Sequence, residues 1–215
     1  MSNPITTIAI GIGEFILLSL LTVVPPLFVA IDAIIIGDGV SEISLTEFAQ
    51  EILILASALL FVYGAWRHPA SRGFFVLGSG VFFCMLIREL DGFLDQIYKG
   101  FWVWPGMVVI TFSSFYAITF CRHKIVAPTS AFIDTKPYFH MVFGLIVVLV
   151  FSRIFGSGTL LLKHLNISDY NHVFKSAIQE GLELFGYLFI TYGSFLLIRR
   201  KRTGVTTPEK THVDD

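Results

Sequence analysis

The sequence is short of charge. Only 14% of its 215 residues are Asp, Glu, Lys or Arg, while 54% are hydrophobic before any glycine is counted. Soluble domains carry about 25% charged residues. Net charge is −1, so there is no global basic field to draw in nucleic acid or an acidic surface. Cysteine is scarce as well. Cys84 and Cys121 both fall in apolar stretches, with no Cys-x-x-Cys and no Cys/His cluster, which leaves no basis for a disulfide framework. No basic residue precedes the first apolar run, and no small-residue cleavage pattern ends it; the expectation is a retained span, not a removed signal peptide. These absences speak against a soluble enzyme, a nucleic-acid binder and a disordered chain. Mean hydropathy is +0.75, and the apolar residues come in blocks of about 20, the length that crosses a bilayer core. The fold class expected is all-α: a polytopic transmembrane helix bundle.

Hydropathy predicts six spans in one transmembrane domain over residues 1–198, followed by a polar tail over 199–215. The first runs Ile5 to Val24, meets Pro25-Pro26, and continues as a second apolar piece, Leu27 to Ile36. Proline removes a backbone donor and crowds the preceding turn, so a kink or break is expected there. The others run Thr46 to Trp66, Phe74 to Leu94, Phe101 to Cys121, Phe139 to about Gly156-Ser157-Gly158 or beyond, and Lys175 to Ile198. Alternate links are basic: Arg67 and Arg72, then Arg122, Lys124 and Lys136, then Arg199 to Arg202. The positive-inside rule puts those links, and both termini, in the cytoplasm. Trp66, Trp102, Trp104, Tyr98 and Tyr138 sit at span ends and read as interfacial anchors.

Ionisable residues inside spans are costly and are functional candidates by default. Most lie in the outer half. Glu47 and Glu51 share one face of the second span, and Glu180 and Glu183 share one face of the sixth. Arg88 and Asp91 share a face late in the third span, whereas Glu89 points about 100° away from Arg88. Arg153 lies late in the fifth span. A gapless alignment of spans two and six sets Gln50-Glu51 on Gln179-Glu180 and Tyr63-Gly64 on Tyr192-Gly193. Arg88 and Arg153 each lie about 21 Å along their helices from the inner face. Two ion pairs at one depth are expected, Glu51 with Arg88 and Glu180 with Arg153, or the crossed pairing, because an unpaired charge in low dielectric is expensive. Such pairs could merely lock helices together. The acids, however, outnumber the arginines, and surplus carboxylates must be protonated, hydrated or bound to a cation. The binding candidates are Glu47, Glu51, Arg88, Asp91, Arg153, Glu180 and Glu183. Glu14, alone near the middle of the first span, is the candidate proton relay.

Other groups read more weakly. His164 and His172 lie at the outer edge and could join the acids around a divalent metal. His68, His123 and His140 gather at the inner face with no outer partner at matching depth, which disfavours haem. Gly78-Ser79-Gly80 and Gly156-Ser157-Gly158 fit no phosphate-binding loop and suit close helix approach. Asn166-Ile167-Ser168 fits a glycosylation acceptor on the outer side. Ser57, Ser113 and Ser114 have no histidine partner, so a serine nucleophile is not supported. Three functions remain. The first is a small transporter or permeation protein for a cation or proton, set in the lipid bilayer of a bacterial inner membrane and, being small, a homo-oligomer. The second is a membrane-embedded metal-dependent enzyme acting on a lipid or quinone. The third is a non-catalytic assembly or immunity protein.

Overall fold

The computed structural model describes residues 3–35, 44–157 and 172–199. Among them every regular element is a helix: α1 Pro4–Ile35, α2 Leu45–Arg67, α3 Arg72–Glu89, α4 Asp91–Leu94, α5 Val103–Phe120, α6 Val126–Ile133, α7 Lys136–Ile146, α8 Ser152–Gly156 and α9 His172–Arg199. A π-helical turn, Val147–Phe151, joins α7 to α8 into one span. Six helical stretches are long and apolar enough to cross a membrane. Their outward faces carry large bare side chains such as Phe112, 70% exposed, and Phe120, 68% exposed. Water would penalise such surfaces and lipid does not. The chain is a helix bundle with the composition and surface of an integral membrane protein.

Two expectations about the elements are corrected. α1 does not break at Pro25-Pro26; it runs through both prolines as one helix. At 1.5 Å per residue it is about 48 Å long, more than the ~30 Å apolar core needs. The hydroxyls of Ser19 and Thr22 bond back to the carbonyls of Phe15 and Ser19 in the turn before the prolines. Those are not the carbonyls the prolines free: Pro25 and Pro26 deprive Leu21 and Thr22 of their amide donors, a loss that membrane helices tolerate. The third span lies earlier in the chain than expected, at Pro69–Glu89. It ends at Glu89, and Leu90 (φ −82°, ψ 14°) separates it from the short α4 that begins at Asp91.

Helix α2 starts where its sequence supplies a cap. Ser44 accepts the Glu47 amide on its side chain at 3.0 Å, the N-cap bond of a Ser-x-x-Glu start. The two amides before it, Leu45 and Thr46, donate to the Asp32 carboxylate of α1 at 3.0 and 2.9 Å. Three orphan donors are thereby satisfied, and α1 is tethered to α2.

Packing rests on two hairpin pairs built alike. In α2 and α3, a Cβ on Gly64 would come within 2.5 Å of the Phe75 ring, and a Cβ on Gly78 would overlap the Phe61 ring. In α9 and α7, a Cβ on Gly193 would lie 2.5 Å from Met141 Cγ, and one on Gly144 2.8 Å from Ile190 Cγ1. Each helix thus offers a large residue and, three positions on, a glycine that receives its partner's large residue. The spacing of three keeps both on one face. The alignment that sets Gln50-Glu51 on Gln179-Glu180 also sets Phe61 and Gly64 on Ile190 and Gly193. The two hairpins meet along α2 and α9. There Thr191 donates to the Leu53 carbonyl at 2.9 Å and lies 3.0 Å from the Ser57 hydroxyl. α5 packs outside α3, and α1 leans on α9 and α2.

Substituting Gly78 by leucine forces the Phe61 ring out of its seat. The expected loss is about 1–3 kcal/mol, read as lowered thermal stability in detergent and partly restored by adding Phe61→Ala. An unchanged melting temperature in Gly78→Leu would contradict this packing.

Candidate functional site

The helix ends place the polar residues. The first turns of α2 present Glu47, Gln50 and Glu51, and the early turns of α9 present Ser176, Gln179, Glu180 and Glu183. α3 ends in Arg88-Glu89, Asp91 opens α4, and Arg153 belongs to α8 just past the π-helical turn. A π turn carries an extra residue and rotates the helix beyond it. Here it leads into Ser152 and Arg153, both of which reach Glu183 on α9. These residues line a half-open cavity of about 270 Å³ at one end of the bundle, with walls almost wholly polar. All seven binding candidates from the sequence lie on its walls. So do Gln50, Glu89, Ser176 and Gln179.

The ion pairs are not those expected. Arg88 Nη1 pairs with Glu89 Oε1 at 2.9 Å, and Arg153 Nη2 pairs with Glu183 Oε1 at 3.3 Å. Neither Glu51–Arg88 with Glu180–Arg153 nor the crossed set forms among the described residues. Two long side chains bridge the ~100° between neighbours on a helix, so Arg88 takes the acid beside it in the chain. Glu183 is presented to Arg153 because other groups hold it: Ser152 Oγ lies 3.1 Å from its Oε1, and Gln179 Nε2 donates to the same oxygen at 3.3 Å.

Glu89, about 100° around the helix from Arg88, faces another helix, α9. It accepts the Tyr187 hydroxyl at 2.8 Å. Tyr187 is fully buried. Gln50, 2% exposed, donates its amide to the Glu180 carbonyl at 2.9 Å, tying the two matched Gln-Glu segments together across α2 and α9.

With Glu89 and Glu183 paired, Glu47, Glu51, Asp91 and Glu180 have no ion-pair partner among the described residues. The Glu180 carboxylate feels the negative charges of Glu47, Asp32 and Glu183. The cavity therefore carries a surplus of negative charge on closely spaced groups. Among the described residues no three His, Cys, Asp or Glu side chains are arranged to hold a metal ion. His164 and the glycosylation triplet lie outside the described residues, as does the side chain of His172.

Glu14 does not belong to this cavity, and it is not alone. Its Oε2 accepts the Lys136 ammonium at 2.7 Å near the opposite end of the bundle. The ion pair removes the isolation on which the relay assignment rested.

Glu183 is held by three side chains, whereas Glu180 has no side-chain partner among the described residues. Glu183→Gln is expected to cost about 1–3 kcal/mol of stability, and Glu180→Gln to leave stability unchanged or raise it by relieving like-charge crowding. Thermal unfolding in detergent measures both, and the reverse order would contradict these assignments.

Comparison of the chain with protein-family models, with curated proteins and with solved structures finds no match in any of the three.

Proposed function

We propose that this is an integral membrane protein that binds a small cation or cationic solute in the acidic cavity and passes it across the bilayer, with protons as the exchangeable counter-charge. One observation carries the reading: six carboxylates, Glu47, Glu51, Glu89, Asp91, Glu180 and Glu183, share a cavity of about 270 Å³ with two arginines, both of which are already paired with acids. Desolvated carboxylates in surplus attract a cation or take up protons, and either can be exchanged for the other. The volume suits an inorganic cation with water or a small organic ammonium. Two hairpins of like design that contribute matched residues to a site between them fit the repeat logic of small transporters.

The remaining assignments are part of the same proposal. The basic links and both termini face the cytoplasm, the acidic cavity opens outward, the membrane is a bacterial inner membrane, and so small a chain works as a homo-oligomer. The metal-dependent enzyme would use the same carboxylates but would need them gathered around one point, and the assembly or immunity reading would need a partner surface and makes no use of the charge surplus.

Uptake into proteoliposomes tests the proposal with rubidium, calcium and methylammonium as probes. At least one is expected to enter faster than into protein-free vesicles. Glu51→Gln with Glu180→Gln should slow it about tenfold or more, the effect of about 1.4 kcal/mol of lost charge pairing. Entry of none of them, or entry indifferent to these carboxylates, would overturn it.

A further inference from the structure

A second space lies at the other end of the molecule. α1 is loosely held, with 6% of its apolar window buried, and a cleft of about 660 Å³ remains between it, the start of α7 and the end of α9. The walls are graded. Ile10 and Leu17 of α1 and Leu196 of α9 form an apolar side, while Lys136, the first residue of α7, and Arg199, the last of α9, stand where two spans end. Span ends lie at headgroup level, and the apolar side lies toward the hydrocarbon.

Gly13 sits on the α1 wall of this cleft. Glycine weakens a helix interior, and the bundle's paired glycines offset that by receiving a neighbour. Gly64, Gly78, Gly144 and Gly193 each face a side chain that leaves a Cβ no room, whereas nothing comes within 4 Å of a Cβ built on Gly13. Gly11 is equally open but does not line the cleft. The missing side chain at Gly13 adds width to the cleft and serves no helix contact.

Charge selects the occupant. Lys136 gives one donor to Glu14 and is still 73% exposed on its side chain. Arg199 lies over the Phe195 ring and has no acid partner among the described residues. Asp134 is the other acid on the wall, and the sequence continues past Arg199 as Arg200-Lys201-Arg202. Guanidinium and ammonium beside an apolar trough match a phosphate joined to an acyl chain. A free phosphate would make no use of the trough.

We propose that the cleft between α1, α7 and α9 binds one anionic phospholipid, its phosphate at Lys136 and Arg199 and an acyl chain along Ile10, Gly13 and Leu17. The site is separate from the acidic cavity and does not depend on the function proposed for it.

The test uses the full chain in vesicles of equal parts phosphatidylglycerol and phosphatidylcholine, followed by gentle extraction and native mass spectrometry. One phosphatidylglycerol should remain per chain in preference to phosphatidylcholine. Arg199→Gln should lower that retention about fivefold, the effect of removing one surface cation. Gly13→Leu, which has room for its side chain, should abolish retention while the melting temperature stays level or rises. Millimolar inorganic phosphate should not displace the lipid. Equal retention of both lipids, retention unchanged in Gly13→Leu and Arg199→Gln, or displacement by inorganic phosphate, which would mark a free-anion site, would each overturn the proposal.

Discussion

A charge inside an apolar bundle must find a partner or water, and the polar architecture of this protein obeys that constraint. Arg88 and Arg153 pair with Glu89 and Glu183, Lys136 gives a hydrogen bond to Glu14, and Asp32 accepts the orphan amides of α2. These contacts fix which helix ends can be neighbours. The acids left over share a polar cavity at the bundle end, where water can reach them. They are not spread along the lipid-facing surfaces, where nothing would satisfy them.

Apolar helices in lipid gain little from hydrophobic contact with each other, so close packing and interhelical hydrogen bonds must hold the bundle. The reciprocal seating of Phe61 and Phe75, and of Met141 and Ile190, against glycines makes each hairpin a tight unit. The seam between the units is held differently, by Gln50 to the Glu180 carbonyl and Thr191 to the Leu53 carbonyl. The cavity sits at the end of that seam and draws its walls from both hairpins. Sequence identity between the hairpins is slight, yet Gln-Glu segments and large-residue/glycine pairs recur in the same register. A shared packing device explains that recurrence without requiring the lipid-facing residues to match.

The six spans are legible in the sequence because hydropathy reports burial in lipid directly, and helix length is set by bilayer thickness. The convergence of Glu47, Glu51, Arg88, Arg153, Glu180 and Glu183 is legible too, because helix rise converts sequence position into depth. Partner choice is not. It depends on which way long side chains bend, as Arg88 and Glu89 illustrate, and on third groups such as Ser152 and Gln179 that hold Glu183 in place. Of the kink or break that proline chemistry predicts at Pro25-Pro26, the break does not occur, because the helix runs on through both residues. Asp32 escapes notice within an apolar run, although Ser44-x-x-Glu47 marks the helix start whose amides it caps. The proximity of Glu14 and Lys136, far apart in the chain, has no local signal at all.

Thiol labelling gives the most direct test of a shared aqueous acidic cavity. In a background with Cys84 and Cys121 replaced by serine, single cysteines at Glu51 and Glu180 would be exposed in sealed vesicles to cationic or anionic membrane-impermeant thiosulfonates. Both positions should react from the same side of the membrane, and the cationic reagent should be faster by about tenfold or more, since a cleft lined by one sign of charge concentrates the opposite sign. Reaction from opposite sides, no reaction, or equal rates with the two reagents would contradict the account.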